Sequence, residues 1–121
     1  MPPLFAISAA DAGVTTLLGS GPVRLFPFGD APENVAKPYA VYQVLNGLPE
    51  NYLGEPPDID EWNIQIDVYA LSVASAQAVQ AALRRALETH CHITRLGGTG
   101  TEPSTQLKTT GFDVSWFHPT T

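Results

Sequence analysis

Hydrophobic positions along this chain switch between two periods. From Glu61 to Ala70 every second residue is apolar or small, with Trp62, Ile64, Ile66, Val68 and Ala70 on one side and Glu61, Asn63, Gln65, Asp67 and Tyr69 on the other. That alternation predicts a strand with one face on a core and one polar face, which favours antiparallel pairing. The period then becomes helical. Ser72 is placed to cap a helix by accepting from a free backbone N–H. Behind it Val73, Ala76, Val79, Leu83 and Leu87 form an apolar stripe, with Gln77, Gln80, Arg84 and Glu88 facing outward. Alanines at 74, 76, 78, 81, 82 and 86 raise the helix propensity and leave a thin face that can lie close to a sheet. Arg84 and Arg85 in the last turns complement the negative end of the helix dipole.

Weaker patterns fill in the rest. Leu4, Ile7, Val14, Leu17 and Leu18 recur at helical spacing and predict one helix over 4–18, opened by Pro3 and closed by Gly19 and Gly21, with Gly13 weakening its middle. Residues 23–28 read as a short strand that Pro27 confines to a sheet edge or a bend. The β-branched and aromatic run 39–45 reads as a strand and is the natural hairpin partner of 61–70. Residues 91–96 and 106–117 form a last strand pair around a flexible Gly-rich tip at 97–103, with Gly111 marking a bulge. The expected fold is α+β in two layers: a mostly antiparallel sheet with two helices packed on one face, in the order α-β-β-β-α-β-β. A length of 121 residues suits a single domain spanning 1–121.

Between the two most strand-like runs lies residues 48–60, which read as a long connecting arm where a turn of about 2–5 residues would close a hairpin. Charge makes this arm stand out. No lysine or arginine occurs between Pro38 and Leu83, yet the stretch holds Glu50, Glu55, Asp58, Asp60, Glu61 and Asp67. The whole chain carries a formal charge of -6, from six Lys and Arg against twelve Asp and Glu. It is polarised: Arg24 and Lys37 are the cations of residues 1–83, whereas Arg84, Arg85, Arg95 and Lys108 follow. An acidic face repels the phosphate backbone, so a nucleic-acid grip is not expected. The unequal ends suit head-to-tail association of copies.

Other signals exclude more than they suggest. One cysteine, Cys91, cannot make an internal disulfide, and the first cation is Arg24, so the start lacks the basic region of a signal peptide and cytosolic synthesis is expected. The apolar runs are far shorter than the ~18 residues of a membrane span, so a soluble protein is expected. His90-Cys91-His92 resembles a ligand cluster, but adjacent strand residues point to opposite faces and only the two histidines could converge, too few for a zinc site. Gly97-Gly98-Thr99-Gly100 precedes a strand rather than a helix and lacks the N-terminus on which phosphate loops rely. The Asp58, Asp60, Glu61 group lacks the glycine and further acids of a calcium loop. No catalytic residues, metal ligands or cofactor residues are expected, and an enzyme is not the favoured reading.

Six short runs, taken in order, carry a resemblance: PPLF at 2–5, PYAVY at 38–42, ENYLG at 50–54, DVYA at 67–70 feeding an Ala-rich helix with ALRRAL at 82–87, and FDVSW at 112–116. Together they resemble the small tail-completion, or tail-terminator, proteins of long-tailed bacteriophages and prophages. The resemblance implies a structural virion protein, assembled in the host cytoplasm, that forms a hexameric ring on the head-proximal end of the tail. There it would stop growth of the tail tube and offer a surface to the neck. The implied partners are copies of itself, the tube protein, a neck or head-completion protein, and genomic DNA that passes through the lumen without specific binding. It supplies no catalytic residues. The chain's own pattern offers contact candidates: Tyr52, Leu53 and Ile59 as apolar anchors, Glu50, Glu55, Asp58 and Asp60 around them, and Arg84 and Arg85 as a cationic counterpart. A competing placement puts these acids on the DNA channel. A neck or head-closure protein, or a small ligand-binding α+β domain, are the alternative functions.

Overall fold

The computed structural model describes residues 1–52 and 55–119, and for 48–52 and 55–58 the backbone alone. The alternating run lies in strand β3 (Glu55–Ala70), antiparallel to β2 (Tyr39–Tyr52). Ahead of these come helices α1 (Leu4–Ala9) and α2 (Ala12–Leu18) and strand β1 (Leu25–Pro27). After them come α3 (Val73–Leu87), β4 (His92–Leu96), β5 (Gly100–Thr101) and β6 (Lys108–Pro119). The sheet order is β1-β2-β3-β6-β4, with β5 on β6. Only the β1–β2 pairing among the described ones is parallel. The result is the α+β fold the pattern predicts, with three helices and a mixed six-stranded sheet.

Alternation decides which face is covered. Ile64, Ile66, Val68 and Ala70 are fully buried in one cluster with Leu4, Val14, Leu18, Val79, Leu83, Leu87, Phe112 and Val114, so all three helices close over that side. Glu61, Asn63, Gln65, Asp67 and Tyr69 on the other side are only half-buried. Burial of the twelve largest enclosed side chains is the main stabilising term, at roughly 1.5–3 kcal/mol for each large apolar group removed from water.

Four local expectations need correction. The helix expected over 4–18 breaks at Ala10–Asp11, because Asp11 takes an extended backbone and its Oδ1 accepts from Val14 N at 3.1 Å, capping α2. Gly13 then falls in a first turn, where its low propensity matters least. Gln80 does not face outward: it lies over the sheet and its Nε2 donates to Gly111 O at 2.6 Å, while Val73, expected in the stripe, is 40% exposed. Gly111 marks no bulge, for the β3–β6 ladder runs unbroken from Lys108 to Pro119; the extra residue lies in β4, between Ile93 and Arg95. A Cβ on Gly111 would come within 2.3 Å of Ile66 O, and that close backbone approach is what requires glycine. The Gly-rich tip is itself paired, with Gly97 N donating to Gly111 O at 2.8 Å and β5 on Thr109 and Lys108.

The fourth correction concerns the arm. It is no structureless connection, since β2 and β3 continue through it as one long hairpin, with Glu50 opposite Ile59 and Tyr52 opposite Glu55. Three prolines disguised it. Among the described residues β1 covers β2 only over Ala40–Tyr42, and β6 covers β3 only as far as Ile59. Pro49 lies beyond the cover of β1, and an uncovered edge tolerates proline because no partner strand needs an N–H there. Pro56 and Pro57 are adjacent and face opposite edges, so only one can use the uncovered side; both fall where the register shifts between the pairs Glu50–Ile59 and Tyr52–Glu55.

Candidate functional site

The hairpin projects from the sheet. Residues 55–58 of β3 run past the level of Pro119, the last described residue of β6, which at ~3.3 Å per residue is about 13 Å of strand. Ile59 and Asp60 stand at its root, half-buried, level with Pro119 and His118 of β6. Glu61 is anchored to the body: Ser115 Oγ donates to its Oε2 at 2.6 Å. Glu50, Tyr52, Glu55 and Asp58 are placed along the two strands by their backbone. Leu53, expected as an anchor, lies outside the described residues, as does Gly54.

Topology decides where the arginines fall. β3 and β4 both run antiparallel to β6, so α3, which connects them, returns along the sheet. It delivers Arg84 and Arg85 toward the end from which the hairpin projects. Among the described residues, the carboxylate beside Arg84 is that of Glu88 on the same helix, 3.3 Å away. An exposed i,i+4 pair of this kind contributes about 0.3–0.5 kcal/mol, so it leaves both side chains available to a competitor. Arg85 is exposed beside Asp11 and His90 along an open groove. Arg84–Glu88 and Arg95–Asp113 are the ion pairs among the described residues.

The uncovered sheet face holds a polar network that sequence alone did not reveal. Arg95 Nε donates to Asp113 Oδ2 at 2.9 Å and its Nη2 to Oδ1 at 3.2 Å, and this bidentate contact raises the Arg95 pKa. Gln65 Nε2 donates to both carboxylate oxygens of Asp67 at 3.1 Å. At the other end of the face Tyr39 and Tyr69 stack at 5.1 Å, and burial is the main cause that raises both phenol pKa values. Glu102 fixes the loop into β6 by accepting from Ser104 and Thr105, and these hydrogen bonds lower its pKa. The Glu-Pro-Ser-Thr order at 102–105 was the sequence signal for that turn. The cross-strand pairing of Arg95 with Asp113 had none, since the β4 bulge sets its register.

The cysteine and histidines serve packing. Cys91 Sγ donates to Leu87 O at 3.2 Å, and burial pushes its pKa up to about 11, so the thiol stays protonated at neutral pH. His90 stacks on Trp116 at 6.3 Å and His92 meets Phe117 edge-on at 6.2 Å, each engaged with a different ring. No group of three or more His, Cys, Asp or Glu among the described residues is placed to hold a metal ion. No helix among them is long and apolar enough to cross a membrane. The chain thus offers a projecting acidic hairpin, cations on a helix end, and a polar sheet face.

The chain matches the family model described as Tail completion protein gp17 over residues 2–117. The curated proteins contain no match.

Proposed function

Because this chain belongs to the Tail completion protein gp17 family and is a structural component of phage tail assembly, we propose that it forms a ring on the head-proximal end of the tail tube. There it stops tube polymerisation and presents a surface to the neck. The family match across residues 2–117 carries this reading. The hairpin gives it a physical means, for a closed ring built from one kind of subunit needs two different patches that meet head to tail. The acids of residues 50–61 form one candidate patch, and Arg84 and Arg85 another. Glu50, Tyr52, Leu53, Glu55, Asp58, Ile59 and Asp60 are proposed as the side that reaches a neighbour or the tube. The arm is rooted in the sheet through Glu61 and Ser115, so it can transmit a fixed orientation to what it touches.

Charge reversal tests the assignment. The double substitution Asp58→Lys and Asp60→Lys is expected to abolish ring formation or tube capping, seen as tubes that overgrow in electron micrographs of assembly reactions. Intact rings with impaired DNA passage would instead place these acids on the channel. A chain that stays monomeric in the presence of tail tubes, while the tubes grow past their normal length, overturns the terminator reading itself.

A further inference from the structure

The two outer edges of the sheet match each other. β4 is the last strand on one side, and its residues are mostly exposed. On the opposite side β1 covers β2 only to Tyr42, whose carbonyl accepts from Phe28 N at 2.8 Å, so the β2 edge from Gln43 onward faces no strand among the described residues. These free edges lie at one height. Through the intervening ladders Leu96 stands level with Phe112, Ile66 and Tyr42, and His92 with Ser115, Asn63 and Asn46. Between those two rows β6 and β3 each advance by three residues, whereas β4 and β2 each advance by four, owing to one extra residue in each, at Thr94 and Leu45. Brought together, β2 and β4 would therefore pair one to one without a bulge: Gln43 with Arg95, Val44 with Thr94, Leu45 with Ile93, Asn46 with His92.

Direction matches as well. β4 runs opposite to β2, because each of the three pairings between them is antiparallel. Rotation about an axis roughly along the strands leaves strand direction unchanged, so a neighbour's β4 would meet β2 as an antiparallel partner. Three exposed apolar side chains gather at that seam: Leu45 at 50% exposure, Leu96 at 52% and Phe28 at 66%. A neighbour's Leu96, level with Tyr42, would land beside Phe28 where β1 ends. Unpaired edges with exposed apolar residues are templates for strand addition.

We propose that a second copy of this chain docks its β4 edge onto β2 residues 43–46, joining the sheets of successive subunits into one continuous sheet around the ring. This inference rests on the ring reading above and specifies its interface. The test is a pair of cysteines at the seam, Asn46→Cys with His92→Cys, in a Cys91→Ser background. Within one chain the two sites lie three strands apart, about 14 Å at the usual strand spacing, too far for the ~7 Å reach of a disulfide. Mild oxidation of the purified chain, alone and with tail tubes, is expected to give a ladder of covalent multimers on non-reducing gels. Neither single variant should give one. Particle mass is measured in parallel. A ring by mass without cross-links overturns the seam and leaves the ring reading standing. A dimer from His92→Cys alone points to a β4–β4 contact and also overturns it. A Cys91→Ser background that circular dichroism shows folded but that stays monomeric with tubes present removes the ring and the seam together, whereas loss of assembly confined to the folded Asn46→Cys, His92→Cys variant supports the seam.

Discussion

Ser8 lies fully buried in α1, and its Oγ has no hydrogen-bond partner among the described residues. An enclosed hydroxyl without a partner loses its bonds to water and gains nothing, at a cost of about 1–3 kcal/mol. Ser8→Ala is therefore expected to raise stability by about 1 kcal/mol, read as a higher urea midpoint at unchanged slope; a lower midpoint would show that the hydroxyl is satisfied in solution. Cys91 gives the corresponding prediction for pH. Its pKa in the folded chain is raised to about 11 by burial, so the folded state holds the thiol proton more tightly than the unfolded one. The stability this supplies is complete below the ordinary thiol value and is lost as pH rises through about 11. At pH 8 roughly one thiol in a thousand would be ionised, and iodoacetamide should label the native chain far more slowly than the urea-unfolded chain. Equal rates would disprove the burial argument. Neither residue announced itself in the sequence. A serine between Ile7 and Ala9 reads as exposed helix, and only the packing of α1 against α3 shows otherwise.

At the level of elements, legibility followed the strength of the periodic signal. The alternation over 61–70 and the stripe of α3 were readable because burial on one face fixes side-chain period directly. The split between α1 and α2 was not, since Asp11 competes for Val14 N only once the two short helices pack at their own angles. The hairpin was half legible. Its charge and its position between two strands were plain, but Pro49, Pro56 and Pro57 read as breakers, and only the ladders show Pro49 beyond the cover of β1 and the other two where the register shifts between Glu50–Ile59 and Tyr52–Glu55. Gly111 was singled out for the wrong reason: backbone proximity rather than a bulge. Gly111→Ala tests that correction, because its Cβ must displace Ile66 O and the Gln80 tether along with the β3–β6 ladder. A loss of about 1–3 kcal/mol is expected in denaturant unfolding. An unchanged midpoint would mean that the two strands separate at little cost.

For the whole molecule, in the proposed ring charge asymmetry and edge geometry would act at different stages of assembly. Long-range attraction between an acidic hairpin and a cationic helix end works over a Debye length, which shrinks from ~30 Å at 0.01 M salt to ~3 Å at 1 M. Strand pairing and apolar contact act only after the subunits touch. Ring formation is accordingly expected to slow several-fold when salt is raised from about 0.05 to 0.5 M, while rings already formed persist. Stopped-flow light scattering and particle mass separate the two effects, and rings that fall apart in high salt would show that charge holds them as well as steers them. The charge asymmetry was visible in the sequence, but the edge geometry was not, because the matching heights of two sheet edges exist only after three ladders are in register. The resemblance supplied the class of assembly, and the order of strands supports the proposed seam. The three prolines of the hairpin have one more consequence. They break the regular row of N–H donors along the arm, so stray chains in a crowded cell find a poor template there for amyloid-like stacking, and the arm can remain extended without becoming a seed for aggregation.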